Sequence, residues 1–184
     1  VRMALFTSEK DYRTLKWAKW LPHFLSDDMK IRMIADERIS YQNVLYHIDE
    51  LLRQRVEKLE ETNGDYVFSP HYIVLCTDSS IFDGDGIEKY MSISEKLGFT
   101  FILAYGKMDK LPNECKTIIQ CDDDFTGYYS LESKRGETDR VNLDAVPAAE
   151  AEMLAKGISM LKVREFSTGE IPNYIDYFHM IGIG

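Results

Sequence analysis

The chain has 184 residues, with 22 Lys and Arg against 31 Asp and Glu, for a formal net charge of −9. Its 45% hydrophobic and 12% aromatic content suffices for the packed core of one domain and excludes disordered and collagen-like classes. The acidic balance argues against a nucleic-acid-binding face, which needs clustered Lys and Arg to neutralise phosphates.

Arg2 to Phe6 is a short apolar run ending at Thr7-Ser8, the pattern of a strand entering a polar turn. Tyr12, Leu15, Ala18 and Trp20 then fall at helical spacing between Asp11 and Leu21, and Pro22 closes that helix. Lys30 to Ala35 is a second strand. Ser40 is the expected N-cap of a long amphipathic helix carrying Val44, Ile48, Leu51, Leu52, Val56 and Leu59, which Asn63-Gly64 should end.

His71 to Thr77, preceded by Pro70, is nearly continuous in apolar β-formers and predicts a strand buried on both faces. Ile87, Tyr90, Met91, Ser94 and Leu97 mark a helix with Gly98 as its terminating residue. Phe99 to Tyr105 predicts another buried strand, Lys116–Gln120 and Thr126–Leu131 two shorter ones, and Pro147–Leu161 a last helix with Lys156 near its negative end. Strands alternating with helices imply an α/β fold, a three-layer sandwich around a mainly parallel, Rossmann-like sheet. From Arg164 the pattern lapses into Ser-Thr-Gly and Ile171-Pro172-Asn173, the composition of a linker.

Ligands of open α/β sheets sit beyond the carboxyl ends of the strands, so the loops after Phe6, Thr77 and Tyr105 are the places for a site. The first, Thr7-Ser8-Glu9-Lys10-Asp11, holds acids where a nucleotide-binding protein carries glycines. Neither GxxxxGK[ST] nor GxGxxG occurs anywhere in the sequence. Cys76-Thr77-Asp78 ends an apolar run in an acid, as a Walker-B carboxylate does. Asp78 reads equally as the cap of an Asx-type turn before Ser79-Ser80. A metal-adhesion site is excluded there, because Phe82 stands where a further Ser is required.

Gly106-Lys107-Met108-Asp109 resembles the guanine-reading NKxD motif with Gly for Asn, and without a phosphate loop it reads as coincidence. Asp83-Gly84-Asp85-Gly86 lacks the spaced ligands of an EF-hand and reads as a turn. Asp122-Asp123-Asp124 reads as a solvated loop. The histidines His23, His47, His71 and His179 share no metal spacing, and Cys76 on its buried strand is expected to act as a small hydrophobe. No catalytic residue and no metal site is identified. Trp17, Trp20, His23 and Phe24 concentrate aromatic surface in eight residues; core packing is one reading, a docking surface for a neighbouring domain the other.

No apolar run reaches the length of a membrane span, and no secretory leader follows Val1. Three cysteines (Cys76, Cys115, Cys121) point to a reducing compartment rather than a disulfide framework. The start at Val1 and the end at Met180-Ile181-Gly182-Ile183-Gly184 read as those of a module cut from something longer.

Several features coincide: Trp17-x-x-Trp20-Leu21-Pro22-His23 after the first strand, Leu51-Leu52-Arg53-Gln54-Arg55 in the long helix, and Pro70-His71-Tyr72-Ile73-Val74-Leu75. To these is added Ile171-Pro172-Asn173-Tyr174-Ile175-Asp176-Tyr177-Phe178-x-Met180-x-Gly182. Together they resemble the segment ahead of the first motor domain in FtsK/SpoIIIE-type ATPases of type VII secretion, the EssC/EccC family. The resemblance runs from about Val1 to Gly184. It implies a degenerate P-loop NTPase (RecA-like) domain over 1–163 and a linker over 164–184 towards the next ATPase domain.

It further implies that Thr7, Ser8 and Asp78 are relics of a nucleotide site, and that the domain holds no cofactor of its own. ATP and Mg²⁺ would serve the parent's motor domains. The implied role is a cytoplasmic coupling domain of a bacterial membrane-anchored ATPase, itself outside the membrane and off nucleic acid. The implied partners are the adjacent ATPase domains, type VII membrane components and WXG100-type substrates, in a homo-oligomeric parent. The alternatives are a small Rossmann- or flavodoxin-like enzyme and a divergent GTPase.

Overall fold

A computed structural model of the chain describes residues 1–28, 30–80, 87–121, 126–131 and 139–161. The Asp83–Gly86 turn, the Asp122–Asp124 run, the 164–184 linker and the Ile171–Gly182 motif lie outside the described residues.

Four parallel strands form the main sheet: β1 (Arg2–Phe6), β2 (Ile34–Ala35), β3 (Tyr72–Cys76) and β4 (Phe99–Leu103), in the order β2-β1-β3-β4. Pairing is in register from Arg2↔Tyr72 to Phe6↔Cys76 and from Tyr72↔Phe99 to Cys76↔Leu103. Three α-helices make the crossovers: α1 (Glu9–Leu15), α2 (Arg38–Glu61) and α3 (Glu88–Met91). Alternation along the strands sends Ala4, Phe6, Tyr72, Val74, Cys76 and Phe99 to the face covered by Val44, Ile48 and Leu52 of α2 and by Tyr90 and Met91 of α3. Leu5 packs on the other face with Ala18 and Phe24. Helices on both sides of a mainly parallel sheet make the α/β sandwich that the alternation of elements predicts. Fully burying side chains such as Phe6, Tyr72 and Phe99 contributes roughly 1.5–3 kcal/mol each.

The departures from expectation have local causes. The helix expected over Asp11–Leu21 stops at Leu15 and tightens into a 3-10 turn over Lys16–Trp20, followed by another over Pro22–Phe24. Pro22 holds Leu21 extended, so an α-helix cannot run through. The Lys30–Ala35 strand shrinks to Ile34–Ala35: Ile31 bonds to Ser26, and Met33 donates to the Phe24 carbonyl while its own carbonyl accepts from Leu5 of β1. Helix α2 begins at Arg38 with Glu37, not Ser40, as N-cap; Ser40 sits at the third helical position and accepts from the Glu37 N–H at 3.0 Å, a capping box with the residue types exchanged. Its C-terminus falls as predicted, with Asn63 and Gly64 at positive φ.

The helix expected through Leu97 is α-helical only over Glu88–Met91, and Ser94 bonds back to the Met91 carbonyl at 2.9 Å. Strand β4 is an edge strand with Ile102 exposed on one face, not a strand buried on both. The chain then builds a second, antiparallel sheet of β5 (Thr117–Cys121), β6 (Thr126–Leu131) and β7 (Asp139–Asn142), where the sequence shows only two strands. Helix α4 (Ala148–Ser159) follows and packs across the Lys16–Trp20 turn.

The amino ends of the strands are locked. The Arg55 guanidinium, buried on α2, donates to the carbonyls of Leu97 and Pro70 at 2.7 Å each and lies about 5 Å from the rings of Phe68, Tyr72 and Phe99. Asp27 accepts from Arg2 Nε at 3.0 Å and from the Tyr72 hydroxyl at 2.7 Å. The carboxyl ends are left for a site.

Candidate site at the switch point of the sheet

From β1 the chain crosses to β2 on one side, and from β2 it returns past β1 to β3 on the other. The order reverses between β1 and β3, and the crevice outside their carboxyl ends is where such sheets bind ligands. A cleft of about 390 Å³ lies there. Ser8 and Asp11 contribute from the β1–α1 turn, Thr77, Asp78 and Ser79 from the end of β3, and Tyr105, Gly106, Lys107 and Lys110 from the loop after β4. These are the three loops that the strand pattern singles out.

The floor is a hydroxyl network. Thr7 is fully buried, and its hydroxyl accepts from Thr77 Oγ1 at 2.8 Å. The Tyr41 hydroxyl of α2 donates to the Thr7 carbonyl at 2.5 Å. Burial, then the nearby Asp78 carboxylate, pushes the Tyr41 phenol above its ordinary value, which keeps it a donor.

In the first wall, Ser8 caps α1: its hydroxyl accepts from the Asp11 N–H at 3.1 Å and donates to Asp11 Oδ2 at 2.9 Å, while its carbonyl accepts from the Tyr12 N–H at 2.9 Å. A phosphate loop turns the first N–H groups of the helix towards the anion; here the Asp11 N–H is taken by the Ser8 hydroxyl, and Asp11 itself lines the cleft. Asp78 closes an Asx turn, its Oδ1 accepting from Ser80 N at 3.0 Å and Ser80 Oγ at 2.7 Å. Asp78 is thus the turn cap of the Asx reading, and it also lines the cleft.

Beneath the third wall, burial drives the Cys76 thiol up to about 11, and the Tyr105 hydroxyl donates to its sulfur at 3.7 Å. The Tyr105 phenol is itself raised, by burial first and then by Cys76. Cys76 is fully buried, the placement expected of a small hydrophobe. The arrangement offers two carboxylates, two ammonium groups and several hydroxyls, a set suited to binding a polar group. Among the described residues no group of three His, Cys, Asp or Glu side chains is placed to hold a metal ion.

Of the expected relic residues, Ser8 and Asp78 meet at the cleft and Thr7 lies under it. Lys107, which the sequence presents only within the Gly106–Asp109 motif, and Lys110, which it does not single out, also line the cleft; the signal for both is their place in the loop after the fourth strand. Asp109 is not among the lining residues.

The aromatic segment lies elsewhere, on the face opposite α2. Phe24 is core and Trp17 is half-buried on the same cluster. His23 is half-buried, and burial holds its imidazole below the ordinary value. Trp20 is 39% exposed and meets α4: Lys156 Nζ lies 5.4 Å from its ring, and Lys156 also pairs with Glu152 at 2.8 Å. Lys156 first, and to a lesser degree the Trp20 indole, holds the Glu152 carboxyl below its ordinary value.

Sheet, switch-point cleft and missing glycine loop define the class: a Rossmann-like α/β domain that has a ligand position without a phosphate cradle. The chain is homologous to a segment of the type VII secretion proteins EccC and EssC. It is 27% identical over 183 residues to the ESX secretion system protein EccC of Geobacillus thermodenitrificans, across 98% of this chain and 12% of that protein. It is 24% identical over 182 residues to the type VII secretion system protein EssC of Staphylococcus aureus, across 96% of this chain and 12% of that protein. The chain thus spans about an eighth of the length of these curated relatives. No protein-family model matches it. Among the described residues no helix is long and apolar enough to cross a membrane.

Proposed function

We propose that this chain is a coupling domain of a membrane-anchored type VII secretion ATPase, linking the membrane part to the motor domains during protein export without turning over nucleotide itself. The observation that carries the reading is similarity across 96–98% of this chain to a segment that makes up 12% of EccC and EssC. The site supports it. The switch-point cleft keeps the place of a nucleotide while Ser8 and Asp11 occupy the turn that glycines would need, so Thr7, Ser8 and Asp78 are relics of a degenerate P-loop site. Residues 1–163 are the ATPase-like domain and 164–184 lead to the next.

On this reading ATP and Mg²⁺ serve the motor domains of the parent, which acts as a homo-oligomer on the cytoplasmic side of a bacterial membrane. Its partners are type VII membrane components and WXG100-type substrates. Calorimetric titration of the chain with ATP and Mg²⁺, with phosphate release followed in parallel, tests the reading. It predicts weak or no binding and background turnover; tight binding with robust hydrolysis overturns it.

A second reading, a divergent GTPase, draws on one observation: Gly106 and Lys107 line the cleft. Protection of residues 106–110 from hydrogen exchange by GDP or GTP, and not by ATP, would favour it.

A further inference from the structure

Helix α4 has two unlike sides. One packs on the Lys16–Trp20 turn, burying Ala155 and half-burying Ala151, Glu152 and Ile158. The other leaves Met153 66%, Leu154 59%, Met160 87% and Leu161 63% exposed. The spacing 153, 154, 157, 160 and 161 places these residues on one stripe running off the end of the helix. Gly157 stands in the middle of that stripe, and a Cβ there would meet no atom within 4 Å, so the backbone is open to close approach. Four large apolar side chains around a bare glycine form an unusual contiguous exposed patch for a short helix. Two are methionines, which suit an adaptable contact surface.

We propose that this outer face of α4 docks onto the part of the same polypeptide that adjoins this domain in the longer parent, against a charge-poor aliphatic surface. The inference rests on the reading of the chain as one domain of a longer protein. Two observations select that occupant over a second copy. The stripe supplies only a few residues, whereas a stable interface between free partners takes about 20–30 a side. The chain spans 12% of its relatives, so most of such a polypeptide lies outside it. A surface too small to hold a free partner is filled when its partner is tethered, because a short linker holds the effective concentration near the millimolar range. Trp20 and Lys156 then act from beneath, seating the helix that makes the contact.

The test is methionine oxidation by dilute peroxide, read by mass spectrometry, on the chain alone and on the longer parent protein. Met108, 65% exposed in the loop after β4, is the internal reference. The proposal predicts that Met153 and Met160 oxidise as fast as Met108 in the chain alone and at least tenfold more slowly in the parent. Leu154→Glu in the parent is expected to restore the fast rate, with the circular dichroism of the same variant of the chain unchanged. Equal rates in chain and parent overturn the proposal. So does slowing in the chain alone that grows with its concentration, which assigns the face to a second copy. If the native polypeptide proves no longer than this chain, the domain reading itself fails and the docking proposal with it. A longer parent with unprotected methionines leaves the domain reading standing and removes only this inference.

Discussion

Thr77 donates a 2.8 Å hydrogen bond to the hydroxyl of Thr7, seventy residues away in sequence, where β1 and β3 end side by side. That bond crosses the point at which the strand order reverses and forms the floor of the cleft. The cleft at this reversal is therefore floored by a hydroxyl pair bonded to each other.

Thr77→Val removes the donor and keeps the shape. It is expected to cost about 1 kcal/mol of unfolding free energy, the usual net worth of one such bond plus a stranded partner. Thr7→Val/Thr77→Val together should cost less than the sum of the single changes, because neither hydroxyl is then left unpaired. Urea midpoints of the four proteins measure the coupling; strict additivity would show that the bond contributes nothing.

Arg55 holds the amino ends of the same strands. Arg55→Lys keeps the charge but cannot reach both the Leu97 and Pro70 carbonyls or stack on three rings, and is expected to cost about 2–4 kcal/mol. Gly98→Ala should also destabilise, since φ is +68° and the new Cβ would lie 2.8 Å from Arg55 Nη1. Denaturant titration checks both; a Lys variant as stable as the parent would show that the buried fork is dispensable.

The Cys76 thiol makes the alkaline limb of stability predictable. Its pKa is raised by burial from about 9 to about 11, so the folded state holds its proton more tightly than the unfolded state. The associated stability is fully present below about pH 9 and is lost as pH rises towards 11. Cys76→Ala should flatten that part of the pH–stability curve while lowering stability at neutral pH through the cavity it leaves. At pH 8 in native buffer, iodoacetamide should modify exposed Cys121 first and buried Cys76 only on unfolding. Fast alkylation of native Cys76 would contradict the assignment.

Trp20→Ala removes the ring on which α4 rests. Backbone amides of α4 are expected to lose at least tenfold in hydrogen-exchange protection, while those of β1 and β3 keep theirs. Unchanged α4 protection would mean that the indole is not what seats the helix.

The main sheet is legible because its strands read as apolar runs: Tyr72–Cys76 is continuous, Phe99–Leu103 stands out although it proves to be an edge strand, and the loops after them mark the cleft. What was hidden depended on contacts distant in sequence. Nothing local in Lys30–Met33 says that these residues will bond to the Ser26 turn instead of extending β2. Asp139–Asn142, with only Val141 apolar, carries no strand signal and becomes one by pairing with β6. In the site, Ser8 and Asp78 were visible as strand-end residues. Lys107 reads in the sequence only as part of a nucleotide-like motif, and nothing local marks Lys110; both become visible as a cleft wall once β3 and β4 lie side by side. Trp17 to Phe24 reads as one aromatic cluster, yet the structure divides it: Phe24 is core and Trp20 meets a helix more than a hundred residues further on.

The proposed role of this chain is to serve protein export as a part of a longer secretion ATPase. The most direct measurement deletes residues 1–163 from the parent protein in its native cell and follows substrate appearance in the culture supernatant, with the truncated protein's abundance and membrane association checked by immunoblot. Export should be lost while the truncated protein persists at the membrane; export at the undeleted level from an equally abundant protein would overturn the coupling role.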